Sequence, residues 1–174
     1  MMKENKQFQR TEDGHLILMS PEDRKLLITD LTSRIEYGVI CMIERVDDFG
    51  PIHRNEKLTG FCNEEDGCFY FDFGYGLNVG FAEKVKPYLR PMSSMTEEEF
   101  KELHSICPHA AFNKTNDPGW IIGISGNDYG RISRIDEISK LIDWLNAHHF
   151  DYRGLIEKGL AFEASEGMYE IANK

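Results

Sequence analysis

The apolar residues of this chain keep a helical period up to Gly38, lose it through residue 93, and recover it after Ser94. That double change of period is the strongest constraint on the fold, because helices and strands bury different spacings of side chains. At the N-terminal end, Leu27, Leu31 and Ile35 stand at i, i+4 and i+8, with Ile28 beside them. Ser20-Pro21-Glu22-Asp23 precedes them and offers a capping hydroxyl, a proline for the first helical position and acids for the first turn. An amphipathic helix ended by Gly38 is predicted. Residues 39–46 are rich in β-branched side chains and read as a strand, and 47–55, carrying Gly50-Pro51, reads as a loop. Residues 57–62 and 68–73 read as two strands joined by a polar loop that ends in Gly67. Gly74, Gly76 and Gly80 punctuate a further short strand near 77–81, and Pro87 and Pro91 bracket a last extended piece, 88–90.

Helical spacing then returns. Thr96-Glu97-Glu98-Glu99 is a capping box, in which the hydroxyl serves the Glu99 amide and the Glu99 carboxylate reaches back. Phe100, Leu103 and Cys107 give one apolar face, and Pro108 stops the helix. Residues 108–119 read as a loop and 120–124 as a strand. Ile135, Ile138, Leu141, Ile142 and Leu145 form the cleanest helical stripe, with Trp144 at its margin and Ser133 as a cap. Asp151 is placed to cap a short helix through Lys158, with Gly159 as its terminator, and the segment from Ala161 onward is weakly patterned.

The order predicts an α+β protein: an N-terminal helix, a small bent antiparallel sheet or Src-homology-3-like barrel, and C-terminal helices. Residues 1–14 read as a disordered tail, 15–92 as the helix plus the small barrel or sheet, and 93–174 as a helical part packed on it in one compact unit. The 174 residues suffice to bury a core without disulfides or metal. The longest uninterrupted apolar run, 39–43, is far short of the roughly 20 residues of a membrane helix, and 1–14 has no apolar core of a secretion signal. A cytoplasmic protein with no membrane partner is expected, with Cys41, Cys62, Cys68 and Cys107 all reduced.

Charge bears on partners. The formal net charge of −10 repels phosphate backbones. A basic patch of Lys84, Lys86 and Arg90 around Tyr88, or Arg131 and Arg134, is what a nucleic-acid role would have to use. His104, Cys107 and His109 lie within six residues and are the best candidates for a metal, although no Cys-x-x-Cys accompanies them. His148-His149 near Asp151 fits a helix C-terminus, where histidine suits the dipole. Gly74, Gly76 and Gly80 miss the spacing and the following helix of a dinucleotide loop, and Asn127 stands where a nucleophile elbow after Ser125 needs glycine. The glutamates at 64–65 and 97–99 lie in polar settings that do not tune a carboxyl for acid–base work. No catalytic residue and no cofactor is therefore expected. Strand alternation sends Phe69, Phe71 and Phe73 to one face and Tyr70 to the other, so Tyr70, Tyr75 and Tyr88 are the candidate interaction surface.

Two stretches, Lys86-Pro-Tyr-Leu-Arg-Pro-Met-Ser-Ser-Met-Thr-Glu-Glu-Glu99 and Ile142-Asp-Trp-Leu-Asn-Ala-His-His-Phe-Asp-Tyr-Arg-Gly-Leu-Ile-Glu-Lys-Gly-Leu-Ala161, carry a resemblance. With Ser20-Pro21-Glu22-Asp23 and Tyr37-Gly38-Val39, they resemble uncharacterised small bacterial proteins associated with prophages and other mobile elements of gut bacteria. The resemblance covers about half of the chain. It implies a biological context and supplies no catalytic or binding residue. The expectation is a non-enzymatic accessory or interaction protein whose partner is another protein. The alternatives are a nucleic-acid-binding small barrel and a metal-dependent enzyme.

Overall fold

The computed structural model describes residues 12, 19–47, 50–63, 69–74, 78–79, 82–108, 110–112, 122–124 and 135–169. The chain divides into two compact units, Met1–Tyr88 with Gly159–Phe162, and Leu89–Lys158 with Glu163–Lys174.

The first unit opens with α1, Pro21–Ser33. Ser20 caps it, its hydroxyl accepting from the Asp23 amide at 3.1 Å, and Pro21 takes the first helical position. Leu27 and Leu31 are fully buried, as their spacing requires. Beside them a charged pair that the apolar pattern hides is buried as well. Asp30 and Arg34, both without solvent exposure, are joined by bonds of 2.8 and 3.0 Å one helical turn apart. The chain leaves the helix through a turn that ends at Gly38, whose φ of +68° suits glycine.

Strand β1, Ile40–Asp47, follows and buries Cys41, Ile43 and Glu44. It pairs antiparallel with β2, Gly50–Lys57, over the full length of both. Here the structure corrects the loop read at 47–55. Gly50-Pro51 marks the start of a strand, and Pro51 is tolerated because β2 is the outer strand of its sheet, where one side needs no amide donor. Leu58 and Thr59 then carry the chain between sheets: the Leu58 amide donates to Val39 O at 2.9 Å, the Thr59 amide to Asp72 O at 2.8 Å.

Strands β3, Gly60–Asn63, β4, Phe69–Asp72, and β5, Asn78–Val79, form an antiparallel three-stranded sheet in that order. Phe71 and Phe73 are buried and Tyr70 is half-buried, which follows the predicted alternation. A 3-10 turn, Ala82–Lys84, leads into β6, Val85–Leu89, which lies against β1 with Cys41 opposite Pro87 and Ile43 opposite Val85. The strands assigned from sequence to one bent sheet or barrel thus divide between two sheets. The larger is a mixed sheet of order β2-β1-β6-β9, where β9 is Phe162–Glu163, contributed from near the C-terminus.

The second unit begins with a 3-10 turn, Met92–Ser94, and α2, Glu97–Ile106. Thr96 and Glu99 form the capping box in both directions, at 3.2 and 2.8 Å. A strand, β7, Ala110–Phe112, pairs with β8, Ile122–Ile124, so the loop read at 108–119 starts with a strand. Helix α3, Ile135–Ala147, packs on α2. Met92, Met95, Leu103, Cys107, Leu141, Trp144, Leu145 and Phe150 make one core. Ile138, one turn before Leu141, is 43% exposed, whereas Leu141 and Leu145 are buried. Residues 152–160 are turns, not the short helix read from Asp151 to Lys158. Gly154, at φ +72°, leaves helical space, and the two Asp151 carboxylate oxygens hold the Leu155 and Ile156 amides at 2.8 Å each. The α+β class stands.

Candidate functional site

The end of α3 sets the geometry of the second unit. The Phe150 amide donates to Leu145 O at 3.0 Å and the His149 amide to Asn146 O at 3.1 Å, the bond pair of a Schellman cap. The left-handed position that glycine fills in most such caps is His149, at φ +57°. The Trp144 and Phe150 rings, 5.8 Å apart, supply the apolar contact that accompanies the motif. The His148 ring stacks on Trp144 at 3.8 Å, and its Nδ1 lies 2.9 Å from Trp144 O, so the Nδ1–H tautomer donates to a terminal carbonyl.

That cap places Phe150 under Arg90. The Arg90 amide donates to His149 O and the Asp151 amide to Arg90 O, both at 2.8 Å. The Arg90 guanidinium lies 4.3 Å from the Phe150 ring centroid and holds both oxygens of Glu99, at 2.7 and 2.9 Å. One Glu99 oxygen also accepts from the Thr96 amide, so a single carboxylate serves the α2 cap and the arginine together. Burial pushes the Glu99 carboxyl up. The Arg90 bonds, the Thr96 amide and the Arg90 charge outweigh it and hold the group below the ordinary carboxylate range. The motifs of 86–99 and 142–161, which carry the sequence resemblance, therefore meet at Arg90 and Phe150.

Above this pair, inside the second unit, lies an open cleft of about 570 Å³. Arg90, Ser94, Thr96 and Glu99 line one side, and Glu163, Ser165, Glu166 and Tyr169 another. The Tyr169 ring stacks on His149 at 3.7 Å, so the strained cap residue supports a wall of the cleft.

The structure scatters the residues singled out from sequence. Lys86 is buried, its Nζ donating to Gly159 O at 2.7 Å and lying 5.2 Å from the Phe162 ring. Lys84 sits in the 3-10 turn before β6, and Arg90 belongs to the other unit. Tyr88 is half-buried, its hydroxyl donating to Asn55 Oδ1 at 3.1 Å and its ring 5.7 Å from Phe162. Burial raises the Tyr88 phenol above its ordinary value, the Asn55 bond opposing. Tyr70 stands opposite Cys62 in the β3–β4 pair. His104 is exposed and stacked on Phe100, Cys107 is buried in the core, and no group of three or more metal-ligating side chains occurs among the described residues. Tyr75, His109, Cys68, Arg131, Ser133 and Arg134 lie outside the described residues, as do the loop at 125–127 and residues 1–11 and 13–18. Cys41 and Cys107 are reduced and buried, and burial followed by the Asp30 charge pushes the Cys41 thiol far up. Among the described residues no helix is long and apolar enough to cross a membrane.

Sequence reading missed Glu163, Ser165, Glu166 and Tyr169. They lie in a stretch without periodicity, and only the fold brings them beside Arg90. No protein-family model matches the chain, nor does any curated protein or any solved structure.

Proposed function

We propose that the protein works by binding another protein, as a non-enzymatic accessory factor of a prophage or other mobile element in the bacterial cytoplasm. The cleft of the second unit carries this reading. Its walls are fixed before any partner arrives: the Arg90–Glu99 fork and the α2 cap hold one side, and the stack of Tyr169 on His149 holds the other. A preformed concavity loses little freedom on binding, which favours recognition. The resemblance of 86–99 and 142–161 supplies the mobile-element context, and Arg90 of the first stretch lines the cleft while resting on Phe150 of the second. The nucleic-acid alternative would draw on Lys84, Lys86 and Arg90, of which Lys86 is held by Gly159 and Arg90 by Glu99. A photo-crosslinking residue at Ser165, in cells that carry the parent element, tests the reading against the same probe at exposed Lys57 on β2. Discrete protein adducts specific to position 165 are expected, and their absence would remove it.

A further inference from the structure

We infer that the cleft takes a basic segment of its partner polypeptide, a lysine or arginine side chain entering between Glu163 and Glu166. The inference rests on the binding reading above and names the chemistry of the partner. One arginine and three glutamates line the cleft. The arginine is committed: both its terminal nitrogens bond Glu99, and its face lies on Phe150. Arg90 and Glu99 therefore cancel, and two negative charges are left at the cleft.

Glu163 and Glu166 supply that charge. Both are exposed, and among the described residues neither carboxylate has an ion-pair or hydrogen-bond partner. Ser94, Thr96 and Ser165 hydroxyls beside them can accept further N–H donors from an ammonium or guanidinium. A volume of about 570 Å³ admits one long side chain with its backbone. The whole chain, at −10, adds a long-range attraction for a basic partner. An anion has the opposite prospect, because Glu99 already occupies the Arg90 fork and the amide of Thr96, the N-cap of α2.

The test is titration of the full chain with a labelled tetralysine peptide at low ionic strength, read by fluorescence anisotropy. Saturable binding is expected, weakened about five- to tenfold in the double variant Glu163→Gln/Glu166→Gln, since each exposed pair contributes modestly. The double variant Glu97→Gln/Glu98→Gln removes the same charge from the exposed first turn of α2, outside the cleft lining, and should bind as the parent does. Absence of peptide binding, or equal loss in the two double variants, would overturn the inference. So would spermidine bound as tightly as the peptide, which would make the ligand a small polyamine. Adducts at position 165 that persist unchanged in Glu163→Gln/Glu166→Gln would leave the protein-binding reading standing and remove only the cationic partner.

Discussion

Arg90 was legible in the sequence as a cation and illegible as a partner. Its neighbours Lys84 and Lys86 suggest a basic patch, yet its charge is spent on Glu99, nine residues on, and on Phe150. Local signals identified the Glu99 cap correctly, because a capping box is a relation within four residues. The second duty of the same carboxylate depends on a contact that no spacing rule encodes. Two consequences follow at this scale. Replacing Arg90 by Gln, with the geometry otherwise kept, should cost about 1–3 kcal/mol, as expected for a partly buried charged hydrogen-bond pair, measured by urea unfolding at pH 7. The Glu99 carboxyl titrates lower when folded than when unfolded, so the pair stabilises fully above about pH 4–5 and is lost as pH falls through the folded value. The acid side of the stability profile should therefore be shallower in Glu99→Gln than in the parent, and an unchanged slope would show that the fork does not form. Cys41 gives a simpler check. Its buried thiol should stay unreacted with a thiol reagent in the folded protein and react once the chain is denatured.

At the scale of elements, what sequence reveals is what a helix can do alone. Ser20 and Thr96 begin α1 and α2 as their spacing predicts, and Leu141 and Leu145 are buried in α3. Leu141→Ala should cost about 2–5 kcal/mol, since Leu141 is fully buried in the core with Leu103, Trp144, Leu145 and Phe150. A thermal midpoint that does not move would contradict the packing of α3. What escaped the reading is pairing between distant segments. Strand β2 looked like a loop because Gly50-Pro51 breaks any local pattern, and only its outer position opposite β1 makes it a strand. The turn of 152–160 looked like a helix because Asp151 is a good cap for either. The α3 cap separates two effects of one residue. His149→Gly should relieve the backbone strain of about 1 kcal/mol and lose the support of Tyr169, whereas His149→Ala keeps the strain and loses the support. The alanine variant should unfold at lower urea than the glycine variant.

At the scale of the molecule, the two units are interleaved in sequence: 159–162 belongs with the first 88 residues, although 89–158 stand between them. Lys86 marks the return, its ammonium held by Gly159 O and set over Phe162. That interleaving bears on how the protein is made. Ribosomes add about 5–20 residues per second, so roughly 4–14 s separate the last residue of the N-terminal portion from the first of the returning piece. Throughout that interval the nascent β1–β6 edge waits for β9 with the Lys86 ammonium lacking its acceptor, a state that solvent or a chaperone must tolerate. Emergence of residues 159–163, and not of the first 88 residues, is then the event that completes the larger sheet. A chain ending before residue 159 would lack both the Gly159 acceptor of Lys86 and the whole of β9.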